Sequence, residues 1–409
     1  MSGPLARLSD AQRLDWLRLI RTESVGPQTF RALINRYGGA GAALKALPSL
    51  AAQKGRPIAL ADEDDCVREM EGLRRNGAKL VALGEPDYPA HLRAIHGPPP
   101  LIAIKGEPSV LQRPMIAVIG SRNASASGLA FTERVVRDLC SAGIVIVSGL
   151  ARGVDARAHQ ASLGTGTIAV LAGGLDKLYP PEHGQLAQDI TETGLLLSEM
   201  PLGWEPRGRD FPRRNRLVAG LSLGTLVIEA SRGSGSLITA KFAAEQGREI
   251  FAVPGSPLDP RAEGTNDLLR QGATLCTRAQ DILDVLLPMI EKGPTYRDDL
   301  FSEAPQLPPS EPLWDELELV YEGETPRTEP HLSLDEPERA IVQAPRRADP
   351  RDLQARIEAL LGPSPIGMDE LARVSEIAMA DLRSVIFELE LAGRIERHGA
   401  GMVSLKPLR

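Results

Sequence analysis

Between residues 116 and 287 the chain repeats one pattern, a short run of almost wholly apolar, largely β-branched residues followed by an amphipathic stretch. The runs fall at 116–119, 144–147, 168–171, 195–197, 226–228 and 250–253. Runs without polar alternation are what strands covered on both faces require, and the stretches between them are long enough for crossover helices. The pattern predicts an α/β domain built on a Rossmann-like, doubly wound parallel sheet, with ligands at the carboxyl ends of its strands.

The flanks have a different texture. From residue 10 to about 85 the spacing is helical. Ser9 and Asp10 can cap a helix carrying Leu14, Leu17, Leu19 and Ile20. Gly26-Pro27 then turns into a second helix with Phe30, Leu33 and Ile34, stopped by Gly38-Gly39. Two helices joined by a tight glycine turn suggest a helix-hairpin-helix (SAM-like) module, a unit that elsewhere holds DNA phosphates. The tail reads as helices over 351–361, from Met368-Asp369 onward and over 379–391, then a hairpin of 395–397 with 402–405, the order of a winged helix. Residues 288–350 hold 15 Asp+Glu, 6 Lys+Arg and 11 prolines with no sustained hydrophobic period, the composition of a solvated linker. The expected organisation is a helical module (1–85), a Rossmann-like domain (86–287), an acidic proline-rich linker (288–350) and a winged helix (351–409).

The net charge of −7 conceals this division. With the linker set aside the rest of the chain is slightly basic, so an acidic total does not exclude a nucleic-acid partner. No apolar run approaches the ~20 residues of a membrane helix, and the first ten residues lack the apolar stretch of a signal peptide. Cys66, Cys140 and Cys276 are too far apart in sequence for a disulfide framework or a metal knuckle. A cytoplasmic protein without metal or cofactor is the expectation.

The strand ends carry the chemistry. The first delivers Gly120-Ser121-Arg122, where a tight turn lets backbone N–H groups, a hydroxyl and a planar guanidinium meet an anion. The second delivers Ser148-Gly149, then Arg152-Gly153, with Asp155 capping the next helix and His159 one turn on, placed as a structural residue. Phe211-Pro212-Arg213-Arg214-Asn215-Arg216 is the densest cluster. Cations on the opening turns of a helix oppose its dipole, which points to an outside anion offsetting them, and Phe211 offers a face for a base. Ser234-Gly235-Ser236 opens another helix as a phosphate cradle. Dinucleotide (GxGxxG), Walker, GxSxG and HExxH patterns are all missing, and no active site is assembled. Glu199 and Glu229 end two strands, either as a carboxylate pair or as acids that order nearby arginines.

In order along the chain, GSR (120–122), SGLARGVDARAH (148–159), TIAVLAGGLDKLYP (167–180), LLLSEMP (195–201), FPRRNRLVAGLS (211–222), SGSLITA (234–240) and REIFAVPG (248–255) resemble the DNA-processing protein A (DprA, or Smf) family. The resemblance covers about 88–273, and both flanking modules agree with that family's layout. It implies a non-enzymatic protein that binds single-stranded DNA, loads the RecA recombinase onto it in natural transformation, and dimerises through the Rossmann-like domain. The family's DNA pocket maps onto Gly120, Ser121, Arg122, Arg213, Arg214, Asn215 and Arg216, with Phe211 adjacent. Gly149, Arg152, Gly153, Ser234, Gly235 and Ser236 are added from the loops at the same sheet edge. One departure concerns the third helix of the tail, where Asp381, Glu388 and Glu390 face a single base, Arg383. That balance is a poor match for duplex phosphates and predicts that the tail mainly meets protein or trims DNA access. Two alternatives stand beside the mediator: a nucleoside-monophosphate phosphoribohydrolase-like enzyme on a related sheet, whose PGGxGT loop is broken here at Gly173-Gly174-Leu175, and an architectural adaptor acting through the winged helix.

Overall fold

The computed structural model describes residues 7–53, 58–292, 350–398 and 401–406. Of the linker expected over 288–350, residues 293–349 lie outside the described residues, as does the hairpin turn at 399–400. At the N-terminus, α1 (Asp10–Arg21) starts with a reciprocal capping box between Ser9 and Gln12. Pro27 occupies the first turn of α2 (Pro27–Tyr37), which Gly38 ends in the left-handed region at φ 75°. With α3 (Ala40–Gln53) these helices enclose a small core of Leu19, Val25, Phe30, Leu33, Leu44 and Leu47, while α4 (Glu63–Arg75) packs Cys66, Met70 and Leu73 with Leu17 in the core beneath the sheet edge.

The sheet begins earlier than the helical reading of 10 to 85 allowed. Residues 78–82 form β1 (Ala78–Ala82), an edge strand in antiparallel register with β2 (Leu101–Gly106), Val81 facing Ile102. The run is too short for a helical stripe of its own, and every residue but Lys79 is buried. Arg13 of α1 fastens the module to this edge by donating to Leu80 O at 2.6 Å and pairing with the buried Glu85. Between the two strands lies α5 (Ala90–Arg93).

The six apolar runs become β3 (Met115–Ile119), β4 (Val145–Ser148), β5 (Thr167–Val170), β6 (Leu195–Ser198), β7 (Gly224–Val227) and β8 (Glu249–Ala252), followed by a short β9 (Thr274–Leu275). The helices among them are α6 (Ala126–Ser141), α7 (Val154–Ser162), α8 (Gly184–Thr193), α9 (Asp210–Leu221), α10 (Gly235–Glu245), α11 (Glu263–Arg270) and α12 (Ala279–Lys292). The strand order is β1-β2-β6-β5-β4-β3-β7-β8-β9, parallel from β6 to β9, with β2 antiparallel to β6. Alternate residues of β3 serve opposite faces: Ile116 and Val118 join the core under α6 and α12, whereas Met115, Ala117 and Ile119 join Tyr88, Leu92 and Leu217. The chain reverses direction across β3, so the crevice between the carboxyl ends of β3 and β7 is the topological switch point. Helix α12 runs through Pro288 to Lys292, past the boundary expected at 287, because the partly buried Met289 and Ile290 continue its core-facing stripe.

The winged helix comprises α13 (Pro350–Leu360), β10 (Ile366–Gly367), α14 (Met368–Ser375), α15 (Met379–Leu391), β11 (Ile395–His398) and β12 (Met402–Leu405). It docks on the large domain through a shared core that contains Leu139, Ile282, Ile357 and Leu371. Around that core, Arg373 of α14 pairs with the buried Glu133 of α6, and Arg261 donates to Ala359 O (3.3 Å) and Leu361 O (3.1 Å) at the end of α13.

His159 is fully buried, its Nδ1 2.9 Å from Thr167 Oγ1, and burial pushes its pKa down to about 3. The folded protein refuses a proton that the unfolded chain accepts below about pH 6.5. Stability should therefore fall with pH from there to about pH 3, by roughly 1.4 kcal/mol per unit from this one group. Urea unfolding of the wild type and of His159→Gln across that range checks the sign: the variant loses that part of the slope.

Candidate nucleic-acid interface

The loop after β3 places the exposed Arg122 with its guanidinium carbon 5.6 Å from the centroid of the Phe211 ring at the start of α9. Phe211 also meets Tyr179 edge-on, with centroids 5.4 Å apart and an interplanar angle of 73°. Tyr179 is 50% exposed. A cation and two aromatic rings thus share the carboxyl edge of the sheet, a surface suited to unstacked bases and a phosphate backbone. Among the described residues Arg122 has no carboxylate partner.

The three arginines of α9 are engaged by the protein's own acceptors, Arg214 buried and Arg213 and Arg216 partly exposed. Arg214 is buried and donates through Nη1 to Gly149 O and, at 2.9 Å, to Val170 O. Burial lowers its pKa to about 10, opposed by Asp155. Arg213 Nε lies 2.7 Å from Glu199 Oε1, and Arg216 pairs with Glu199 Oε2 while donating to Gly97 O at 3.0 Å. The spacing predicts an outside anion that offsets these cations. The structure supplies the offset itself in Glu199, whose side chain is 4% exposed. Burial favours the neutral Glu199 carboxyl, yet Arg216 and Arg213 hold it below the usual carboxylate range. From the helical module, Arg21 donates to Glu199 O at 3.1 Å and so braces the same loop.

The loop after β4 is similarly tied down. Asp155 accepts from Gly149 N (3.1 Å) and Ala151 N (3.3 Å), and His183 Nδ1 lies 2.9 Å from Leu150 O. Leu150 itself is held at φ 58°, a costly conformation for a branched residue. Gly149 has no room for a Cβ beside the Arg214 guanidinium. Gly153, at φ 73°, has none beside the carbonyls of Ser121 and Arg122. Gly153→Ala should cost roughly 1–3 kcal/mol and displace the Arg122 loop, read as a lowered melting temperature together with weaker single-strand binding. Arg152 projects to solvent and pairs with the exposed Glu182.

At the start of α10, Ser236 Oγ donates to Gly120 O at 2.7 Å, and Asn215 Nδ2 donates to Gly235 O at 3.3 Å. Ser234 Oγ is buried without a hydrogen-bond partner among the described residues. The N-terminus of α6, where dinucleotide proteins seat a pyrophosphate, is already filled by the Glu229 carboxyl. It accepts from Ser125 N at 2.9 Å and from Ser125 Oγ, and burial raises its pKa. Glu199 and Glu229 therefore serve separate partners.

Sequence reasoning assigned no site role to Tyr179, Trp204 or Arg207. Arg207 stacks over the Trp204 ring at 5.0 Å, and Asp210 fixes both by accepting from Trp204 Nε1 (2.9 Å) and Arg207 N (2.8 Å). The available signal was an aromatic residue inside each of two Gly- and Pro-rich loops.

A Rossmann-like sheet carrying a cation–aromatic surface at its strand ends, between a helical module and a docked winged helix, defines a nucleic-acid-handling protein. Residues 79–287 match the DNA recombination-mediator protein A family, residues 10–72 the DprA-like N-terminal HHH domain and residues 337–401 the DprA winged helix domain. The chain belongs to the DNA recombination-mediator protein A (DprA/Smf) family. Protein Smf from Synechocystis is 30% identical over 95% of this chain and 98% of its own length. DNA processing protein DprA from Bacillus subtilis is 41% identical over 54% of this chain and 75% of its own. Among solved structures, DprA from Streptococcus pneumoniae aligns with a TM-score of 0.52 at 40% identity, covering 55% of this chain and 78% of that one. DprA from Helicobacter pylori, described with a single-stranded DNA binding mode, aligns at 0.48 and 30% identity, covering 52% and 96%. No helix among the described residues is long and apolar enough to cross a membrane.

Proposed function

We propose that this DNA-processing, recombination-mediator family member binds single-stranded DNA along the carboxyl edge of its sheet. The observation that carries this reading is the Arg122–Phe211–Tyr179 group, where the rings stack bases and Arg122, with the backbone N–H groups of the 120–122 loop, holds phosphate. Arg152 and the 234–236 loop extend the path. Arg214 acts as a positioning residue, setting the 149–153 loop from within, while Glu199 sets Arg213 and Arg216. The protein works by binding rather than by covalent chemistry, as a cytoplasmic homodimer, and it delivers the strand to the RecA recombinase in natural transformation.

Delivery is tested by following RecA ATP hydrolysis on DNA pre-coated with single-strand-binding protein. The wild type should shorten the lag, and Arg122→Ala should restore it. A lag untouched by the wild type at saturating protein would remove the loading step and leave a plain single-strand binder.

A further inference from the structure

The third helix of the winged helix, α15, occupies the position that reads a DNA groove in many winged-helix domains. Its inner face is spent on the core through Leu382, Val385, Ile386 and Leu389. The outer face exposes Phe387 (56%) and Leu391 (72%) one turn apart, with Ala380 and Ser384 continuing the same stripe. Along one flank of the stripe stand Glu388 and Asp381, both exposed, and neither has an ion pair among the described residues. The other flank carries the exposed Arg383 and Glu390, the latter paired with Arg397 at 2.8 Å.

We propose that this face docks a helical segment of another protein, one whose apolar stripe is bordered by Lys and Arg on the side that meets Asp381 and Glu388. An aromatic and a leucine at helical spacing, bordered on one side by two unpaired acids, complement an amphipathic helix with basic residues along the matching border. Duplex phosphate would be repelled by the same acids. The chain's own 288–350 stretch, with 15 acids and 6 bases, has the wrong sign for the flank. The proposal does not rest on the single-strand site, since α15 contributes none of the residues of that site.

The test uses the full chain and a fluorescein-labelled amphipathic Leu/Lys peptide, with its Leu/Glu counterpart and a labelled duplex as controls. Anisotropy should show the Leu/Lys peptide binding about tenfold tighter than the Leu/Glu peptide, a gap of roughly 1.4 kcal/mol. Phe387→Ser with Leu391→Ser should abolish that binding, and so should Asp381→Lys with Glu388→Lys, both with unchanged melting temperature and single-strand affinity. Three results would overturn the proposal. One is Leu/Lys binding that survives the Phe387 and Leu391 changes, which makes it mere surface electrostatics. Another is duplex binding lost in the same variants. The third is a sedimentation shift showing that the face pairs two copies of this chain.

Discussion

Glu199→Ala is expected to destabilise the protein by about 3–5 kcal/mol, the range seen when one member of a buried ion pair is removed. The carboxylate neutralises Arg213 and Arg216, whose side chains are only 23% and 13% exposed, so both guanidiniums would be left in a poorly hydrated pocket. Glu199→Gln keeps the shape and one acceptor and should lose less. The pH dependence has a definite sign. The folded carboxyl titrates below the ~4.3 of an unfolded glutamate, so its contribution is complete above that value and is lost as pH falls through the depressed folded value. Chemical denaturation near neutrality gives the magnitude. A loss under about 1 kcal/mol would mean that the arginines reach solvent and that Glu199 does not set the site.

The second large effect concerns binding. Phe211→Ala should weaken single-strand affinity by about 1–3 kcal/mol, or roughly 5- to 150-fold, because it removes a stacking face and the partner of both Tyr179 and Arg122. Arg122→Ala should act differently. Losing one phosphate contact lowers the magnitude of the log-affinity against log-salt slope by about 0.7 for a single strand. Arg214→Ala is a poor probe of the same question, since it strips Gly149 O and Val170 O of their donor and would fail through the fold. Titrating wild type, Phe211→Ala and Arg122→Ala at several salt concentrations separates the apolar loss from the ionic one.

The fold was legible where burial on both sheet faces leaves its mark, in the six runs that became β3 to β8. The antiparallel edge was not, because β1 is a five-residue strand beside a helical module and carries no pattern that separates it from a helix end. The winged helix was legible from its order of three helices and a hairpin, and its docking was not, since the Glu133–Arg373 pair joins residues 240 positions apart. At the site, residue types could be read but their directions could not. Three arginines in four residues signal anion chemistry, yet only the folded geometry shows Arg214 turned inward and Glu199 holding the other two. Tyr179 enters the site through its contact with Phe211, a tertiary fact that no spacing encodes.

The central claim is that single-stranded DNA lies on the Arg122–Phe211–Tyr179 surface. It is tested most directly by fluorescence anisotropy of a labelled thymidine strand of about 20 nucleotides and its duplex, from about 50 to 200 mM salt. The account predicts a single-strand preference that weakens with salt, a shallower slope in Arg122→Ala and a largely salt-independent loss in Phe211→Ala. Equal affinity for strand and duplex, or binding unchanged in both variants, would contradict it and move the DNA elsewhere on the molecule.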